Sequence, residues 1–277
     1  MAKTKKTAPQ PRTGSTTATK DQTGVTKPAP ATPGGPNRPA RKEEARRQRE
    51  VLRKKMARRK YYRWTALAVA VLVLAAAGTA FAIYQTGATS RALKSAGCGP
   101  VRTIGTYQNN PTLDRAHIGT GPPAPATPPP LSSYASVPPT SGPHKPPGQT
   151  LHAGVYTTPP DVYMALHSLE HGAVIVWYSP SASQSDVSKI VDFYRNASSS
   201  ETDHVIVAEY NYPEQGAAGQ LPAGKQMVLV AWHHMQTCAT PSLKVAQDFV
   251  SHYRIPTGST SIPAGYKGDA PEVGSPI

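Results

Sequence analysis

HSLEHGAVIVWY, residues 167–178, carries the strongest structural signal in this chain. Its second half, from residue 173 onward, is a continuous run of apolar residues, mostly β-branched or aromatic, which is typical of a strand buried on both faces. Its first half ends at Gly172, directly before that run, so only a short helical turn can precede the strand. The stretch therefore predicts a turn of helix that delivers two histidines to the start of a buried strand.

Helix and strand patterns continue on the C-terminal side of this strand. Periodic and continuous apolar runs predict a helix at 185–197, strands at 204–210 and 226–232, and a last helix at 241–254. Thr240 and Pro241 are a favourable cap and first residue for the last helix. The expected fold is α+β: a small sheet of about three to five strands, counting one near Val155, with two helices packed on one face.

Residues 64–84, WTALAVAVLVLAAAGTAFAIY, contain no charged side chain. At ~1.5 Å per residue, a helix of this length spans the ~30 Å hydrocarbon core of a membrane. Lys and Arg crowd its N-terminal flank, which predicts a single-pass protein of the cell membrane with a cytoplasmic N-terminus and an extracytoplasmic C-terminal part. A signal peptide cleaved after Ala82 is the alternative, disfavoured by the long charged region before the span.

Basic charge is confined to the N-terminal tail. Residues 1–63 hold 19 of the 30 Lys and Arg residues but only 4 of the 16 Asp and Glu, so the overall charge does not indicate a nucleic-acid-binding protein. We predict a disordered cytoplasmic tail over 1–40, because large apolar side chains are almost absent there, and a basic juxtamembrane helix over 41–63. This helix is expected to lie against anionic lipid headgroups, with a nucleic acid or an acidic protein as the less favoured partner.

The extracytoplasmic part divides into three predicted segments. Residues 85–147 are polar and rich in proline, with eleven prolines between 121 and 147, which predicts polyproline II or irregular loop. An α+β domain is expected over 148–256, followed by a loose tail over 257–277. The domain is too small for more than one modest core.

The chain has two cysteines, Cys98 and Cys238, and both fall in the predicted extracytoplasmic part. An oxidising compartment favours a disulfide between them. Two independent thiols are the alternative, because sequence spacing does not test the geometry that a disulfide requires.

Reactive side chains concentrate in two motifs, SGPH at 141–144 and HSLEHG at 167–172. Imidazole and carboxylate groups together suit zinc or copper binding, or proton transfer. We therefore predict a metal site formed by His144, His167 and His171. Three further residues are available to complete the set: His117, His233 and Glu170. Ser141 and Gly172 are other positions of the same motifs.

Two other interpretations compete with the metal site. His167, Glu170 and His171 match the H-x-x-E-H spacing of a zinc peptidase, but the strand that follows leaves no room for the long helix of that motif. Alternatively, the histidines and Glu170 hydrogen-bond one another only to hold the proline-rich segment on the sheet. In that case the domain is a non-catalytic module that binds a cell-envelope protein or the cell wall. Whether the protein is an enzyme stays open.

PPTSGPH at 138–144, GVY at 154–156 and HSLEHGAVIVWYSP at 167–180 resemble the bacterial domain-of-unknown-function family 3105. The resemblance runs from about Cys98 to Tyr253. It implies a basic cytoplasmic tail, one membrane helix and an outer domain, without an assigned activity, and it makes the following residues family-motif positions: His144, His167, Glu170, His171 and Gly172. This chain has His233 where the family commonly shows a glycine, which weakens His233 as a shared ligand.

Overall fold

The computed structural model describes residues 38–277, with side chains over 41–82, 84 and 87–277. The predicted disordered tail lies almost entirely outside these residues. Contacts divide the chain into two units between Val71 and Leu72. The first unit contains the N-terminal part of helix α1, whose bounds are Arg38–Ser95.

Helix α1 covers both the predicted basic segment and the predicted span. It is the one helix among the described residues that is long and apolar enough to cross a membrane. The side chains described between residues 64 and 82 are all exposed except that of Thr65, which is half-buried. Leu72 and Leu74, for example, are 69% and 72% exposed. Such a row of exposed aliphatic side chains is what a lipid environment would cover.

The second unit is built on a six-stranded sheet in the order β1-β6-β5-β3-β4-β2. Its strands are β1 (Arg102–Thr103), β2 (Gly154–Val155), β3 (Val174–Tyr178), β4 (Val205–Glu209), β5 (Met227–Ala231) and β6 (His234–Cys238). Strand β4 runs parallel to its neighbours β3 and β2, and the other pairs are antiparallel. The α+β prediction is confirmed, with the correction that there are six strands rather than three to five.

The two helices predicted for one face are present. Helices α4 (Gln184–Asn196) and α6 (Leu243–Tyr253) cover this face of the sheet. Because alternate residues of a strand point to opposite faces, Val174 and Val176 of β3 pack with Ile190 and Phe249 of these helices. Helix α6 starts two residues later than predicted, with Ser242 rather than Thr240 at its N-cap.

The opposite face of the sheet is covered by helix α3 (Val162–Glu170) and by the proline-rich segment. Leu131 and Tyr134 of that segment are buried in the same core as Leu166 of α3 and Trp177 of β3. Short helices α2 (Pro111–Asp114) and α5 (Ser199–Thr202) and three short 3-10 segments complete the described part of the unit. Residues of the proline-rich segment are thus part of the packed domain, which brings the SGPH motif beside α3.

A disulfide joins Cys98 to Cys238 across 140 residues of sequence. Cys238 is the last residue of β6 and is completely buried. Backbone hydrogen bonds support the link, since Ala239 N–H donates to the carbonyl of Ala96 at 2.9 Å and Gly99 N–H to that of Thr237 at 3.0 Å. The end of α1 is therefore fastened to β6.

Candidate metal centre

Helix α3 places two of the predicted site residues on one face. Asp161 caps the helix by accepting hydrogen bonds from the backbone N–H groups of Tyr163 and Met164 at 2.9 and 3.2 Å. His167 and Glu170 are three residues apart, so their side chains lie on the same side of the helix. Both residues are buried, at 2% and 0% exposure.

Gly172 turns the chain from α3 directly into β3. Its φ of +89° is the left-handed conformation that ends many helices at a glycine. A Cβ at this position would lie 2.7 Å from the Cβ of Ile255, so a larger residue would also displace that side chain. The helix therefore ends at Glu170, with His171 as its C-cap, and the long helix of an H-x-x-E-H peptidase is absent.

The SGPH loop lies beside the residues that follow α2. The backbones of His117 and His144 form a parallel bridge, in which Ile118 N–H donates to the His144 carbonyl at 2.8 Å and His144 N–H to the Ala116 carbonyl at 3.0 Å. This bridge fixes the two imidazoles next to each other, with ring centroids 4.9 Å apart.

Asp114 holds the SGPH loop in place. Its buried carboxylate accepts hydrogen bonds from the hydroxyl of Ser141 at 2.7 Å and the backbone N–H of Tyr107 at 2.8 Å, and it lies 2.6 Å from Nε2 of His233. Burial works to raise the pKa of Asp114, but the hydrogen bonds from His233, Tyr107 and Ser141 outweigh it and lower the pKa. Ser141 and His233 thus contact Asp114.

Three histidines and one glutamate converge between α3 and the SGPH loop. The donor atoms of His117, His144, His167 and Glu170 all lie within 4.8 Å of one another. Nε2 of His144 is 2.9 Å from Oε2 of Glu170, and Nε2 of His117 is 4.0 Å from the same oxygen. Imidazole nitrogens with one carboxylate oxygen form a ligand set that suits zinc, copper and other divalent transition metals.

Each of these four residues has a buried polar atom without a hydrogen-bond partner: Nε2 of His117, Nε2 of His144, Nδ1 of His167 and Oε2 of Glu170. An unsatisfied buried polar group costs about 1–3 kcal/mol, so native proteins contain few of them. A single cation between them would satisfy all four at once.

The tautomer of His144 follows from its surroundings. Nδ1 lies 2.8 Å from the carbonyl oxygen of Gly142, which can only accept, so Nδ1 carries a proton. Metal-binding histidines commonly donate their other ring N–H to a carbonyl in this way, which leaves a lone pair for the metal. In the neutral tautomer, the Nε2 lone pair faces Oε2 of Glu170 at 2.9 Å, an arrangement that a cation between them would stabilise.

Arg115 binds the other oxygen of Glu170. Its Nε donates to Oε1, so Oε2 is the oxygen directed at the histidines.

Burial works to raise the pKa of Glu170, but contact with His144 and Arg115 lowers that pKa to about 2. Burial lowers the pKa of His167 to about 4, aided by the neighbouring histidines. At neutral pH these two groups are a carboxylate and a neutral imidazole, the protonation states that bind metal ions.

Not every residue of the predicted set belongs to the cluster. His144 and His167 are within it, and His117 and Glu170 complete it. His171 instead donates through Nδ1 to the carbonyl of Pro276 at 2.9 Å, and its Nε2 lies 3.2 Å from Oε2 of Glu272. Asp114, Arg115 and Glu272 were not predicted from sequence, since none of them lies in either of the two histidine motifs.

Residues 131–263 match the model of the family described as Protein of unknown function (DUF3105). The matched region includes both histidine motifs, whereas His117 and Glu272 lie on either side of it. No curated protein and no solved structure matches the chain. The resemblance predicted from SGPH and LEHG is therefore confirmed over residues 131–263, which match this family of proteins of unknown function.

Proposed function

We propose that this protein is a single-pass membrane protein whose extracytoplasmic domain binds one zinc or copper ion. The ligands would be Nε2 of His117, Nε2 of His144, Nδ1 of His167 and Oε2 of Glu170. The observation that carries the proposal is the convergence of these four atoms, each buried and each without a hydrogen-bond partner.

The ligand set favours a site that stabilises the fold over one that is open to substrate. Four protein ligands complete a tetrahedral shell, as in structural zinc sites, whereas catalytic zinc sites keep one position for water. The ligands come from three separate parts of the chain: residue 117, the SGPH loop and α3. A bound ion would therefore fasten the loop to the helix, and its binding free energy would add to the free energy of unfolding.

The cluster would contract on binding. Metal–ligand bonds of ~2.0–2.1 Å place tetrahedral donor atoms about 3.4 Å apart, whereas the present separations reach 4.8 Å. His117 is the partly exposed member, with 27% of its side chain accessible, and a movement of its ring would bring Nε2 closer without disturbing the buried core.

The membrane part of the proposal rests on the exposed apolar side chains of α1 and on the distribution of charge. We place the N-terminus in the cytoplasm, residues 41–63 against anionic lipid headgroups, and the disulfide-bonded domain outside the cell membrane. The Cys98–Cys238 link is consistent with an oxidising compartment.

A structural role for the His/Glu motif is the second candidate. The ion pair of Arg115 with Glu170 favours it, because the guanidinium already compensates the buried carboxylate. The domain would then be a non-catalytic module that binds a cell-envelope protein or the cell wall, and added metal would not affect its stability.

Thermal unfolding distinguishes the two candidates. The full-length chain in detergent, freed of metal with a chelator, should gain about 2.7 kcal/mol of stability when zinc or copper is present at about 100 times its dissociation constant. For a domain of this size the melting temperature should rise by roughly 5–10 °C, while magnesium at the same concentration should cause no change. If neither zinc nor copper raises the melting temperature, the metal proposal is wrong.

A further inference from the structure

Residues 257–277 contain no helix or strand, yet they lie along the metal centre. The backbone N–H of Glu272 donates to the carbonyl of Glu170 at 3.2 Å. The carbonyls of Pro276 and Ser275 accept from Nδ1 of His171 at 2.9 Å and from Nε2 of His204 at 2.8 Å. We call these residues the strap, since polar contacts hold them at several points beside α3 and β4.

The side chain of Glu272 joins the strap to the centre. Its Oε1 lies 3.1 Å from Nη2 of Arg115 and its Oε2 lies 3.2 Å from Nε2 of His171. Arg115 is also the residue that binds Oε1 of the ligand Glu170. The guanidinium group of Arg115 thus connects Glu272 with the proposed ligand Glu170. His171 lies beside a second proposed ligand, His167, with the two ring centroids 4.8 Å apart.

An ion can reach the proposed ligands only if covering residues move. The side chains of His144 and Glu170 are 0% and 1% exposed, and His167 is also buried. Segments that open at low cost have few buried apolar contacts and partly exposed polar bonds. The polar contacts of the strap have this character, because Glu272 is 35% exposed and its partner Arg115 is 51% exposed. Ala270 and Ile277 of the strap pack against the core but are only partly buried, whereas most residues of α3 are fully buried.

We infer that the strap controls metal exchange and that Glu272 is the residue that keeps it closed. This inference rests on the proposed metal binding. Release of Glu272 from Arg115 and His171 frees the strap from the two side chains that border the proposed ligands. The four donor atoms then determine how tightly the ion is bound, while the strap determines how fast it enters and leaves.

The test compares zinc release from the full-length protein and from Glu272→Gln, with an excess of a chromophoric chelator as acceptor. Glu272→Gln removes the charge but keeps the size of the side chain, and loss of two charge-assisted contacts should make release roughly tenfold faster. The amount of zinc bound at saturation should not change. Glu214→Gln is the matched control, since Glu214 is an exposed glutamate that makes none of the strap contacts.

Hydrogen exchange of the metal-free proteins gives a second readout that does not depend on zinc. Backbone amides of the strap should exchange faster in Glu272→Gln than in the wild type and in Glu214→Gln. Equal release rates and equal exchange would overturn the role of the strap while leaving the metal centre intact. Failure of the wild-type protein to bind zinc or copper at all would instead overturn the proposed function, and with it the inference that the strap controls metal exchange.

Discussion

His117→Ala should weaken zinc binding by more than about 100-fold, whereas His171→Ala should leave the dissociation constant within about threefold of the wild-type value. Removing His117 deletes one of the four donor atoms that converge in the cluster. His171 lies outside the cluster and contacts Glu272 and Pro276. The dissociation constants are measured by competition with a chelator of known affinity, using full-length protein in detergent.

Two further variants make this comparison decisive. His144→Gln removes a completely buried ligand while keeping a polar side chain, and should lose zinc binding as His117→Ala does. His152→Ala removes an exposed histidine and should have no effect. A loss of affinity in His171→Ala but not in His117→Ala would show that the set predicted from sequence, His144, His167 and His171, is the correct one.

Replacing both cysteines with alanine, Cys98→Ala with Cys238→Ala, should lower the free energy of unfolding by about 4 kcal/mol. The disulfide closes a loop of 140 residues, and a cross-link across a long loop removes much of the entropy of the unfolded chain. Alanine is preferred to serine because Cys238 is completely buried, where a hydroxyl group would add a separate desolvation cost. Denaturant unfolding followed by the fluorescence of the buried Trp177 and Trp232 gives the value.

Wild-type protein treated with a reductant is the control for this double variant. It should unfold at nearly the same denaturant concentration as the alanine variant, since both lack the cross-link. A difference of less than about 1 kcal/mol between oxidised and reduced wild-type protein would contradict a stabilising role for the disulfide, because a loop of this length should contribute several times that amount.

The main elements of the fold could be predicted because their apolar patterns are local. The runs that contain Val174, Val205 and Met227 are strands, and the one-sided pattern around Ile190 is a helix. Strand β6 was missed because its sequence, HMQTC, has no apolar run and because the hairpin before it turns through His233 at φ +58°, where Asn-Gly would have been a recognisable signal. Strand β1 has only two residues, too few for any periodicity.

Part of the candidate site could be predicted because some of its residues stand in motifs that the local sequence shows. His144, His167 and Glu170 stand in dense motifs, and the structure brings them together. His117 has no motif around it, and its place depends on the backbone bridge with His144, a contact between distant parts of the chain. His171 was assigned with His167 on spacing alone, but the C-cap conformation at the end of α3 leaves it beside Glu272.

Metal content of the protein as it is made in the cell tests the central claim most directly. The full-length chain, purified from membranes without an affinity tag and without added metal or chelator, should contain close to one equivalent of zinc or copper per chain by elemental analysis. That equivalent should be absent from His144→Gln prepared in parallel. Wild-type protein that contains no transition metal, and takes up none when zinc or copper is added, would contradict the account.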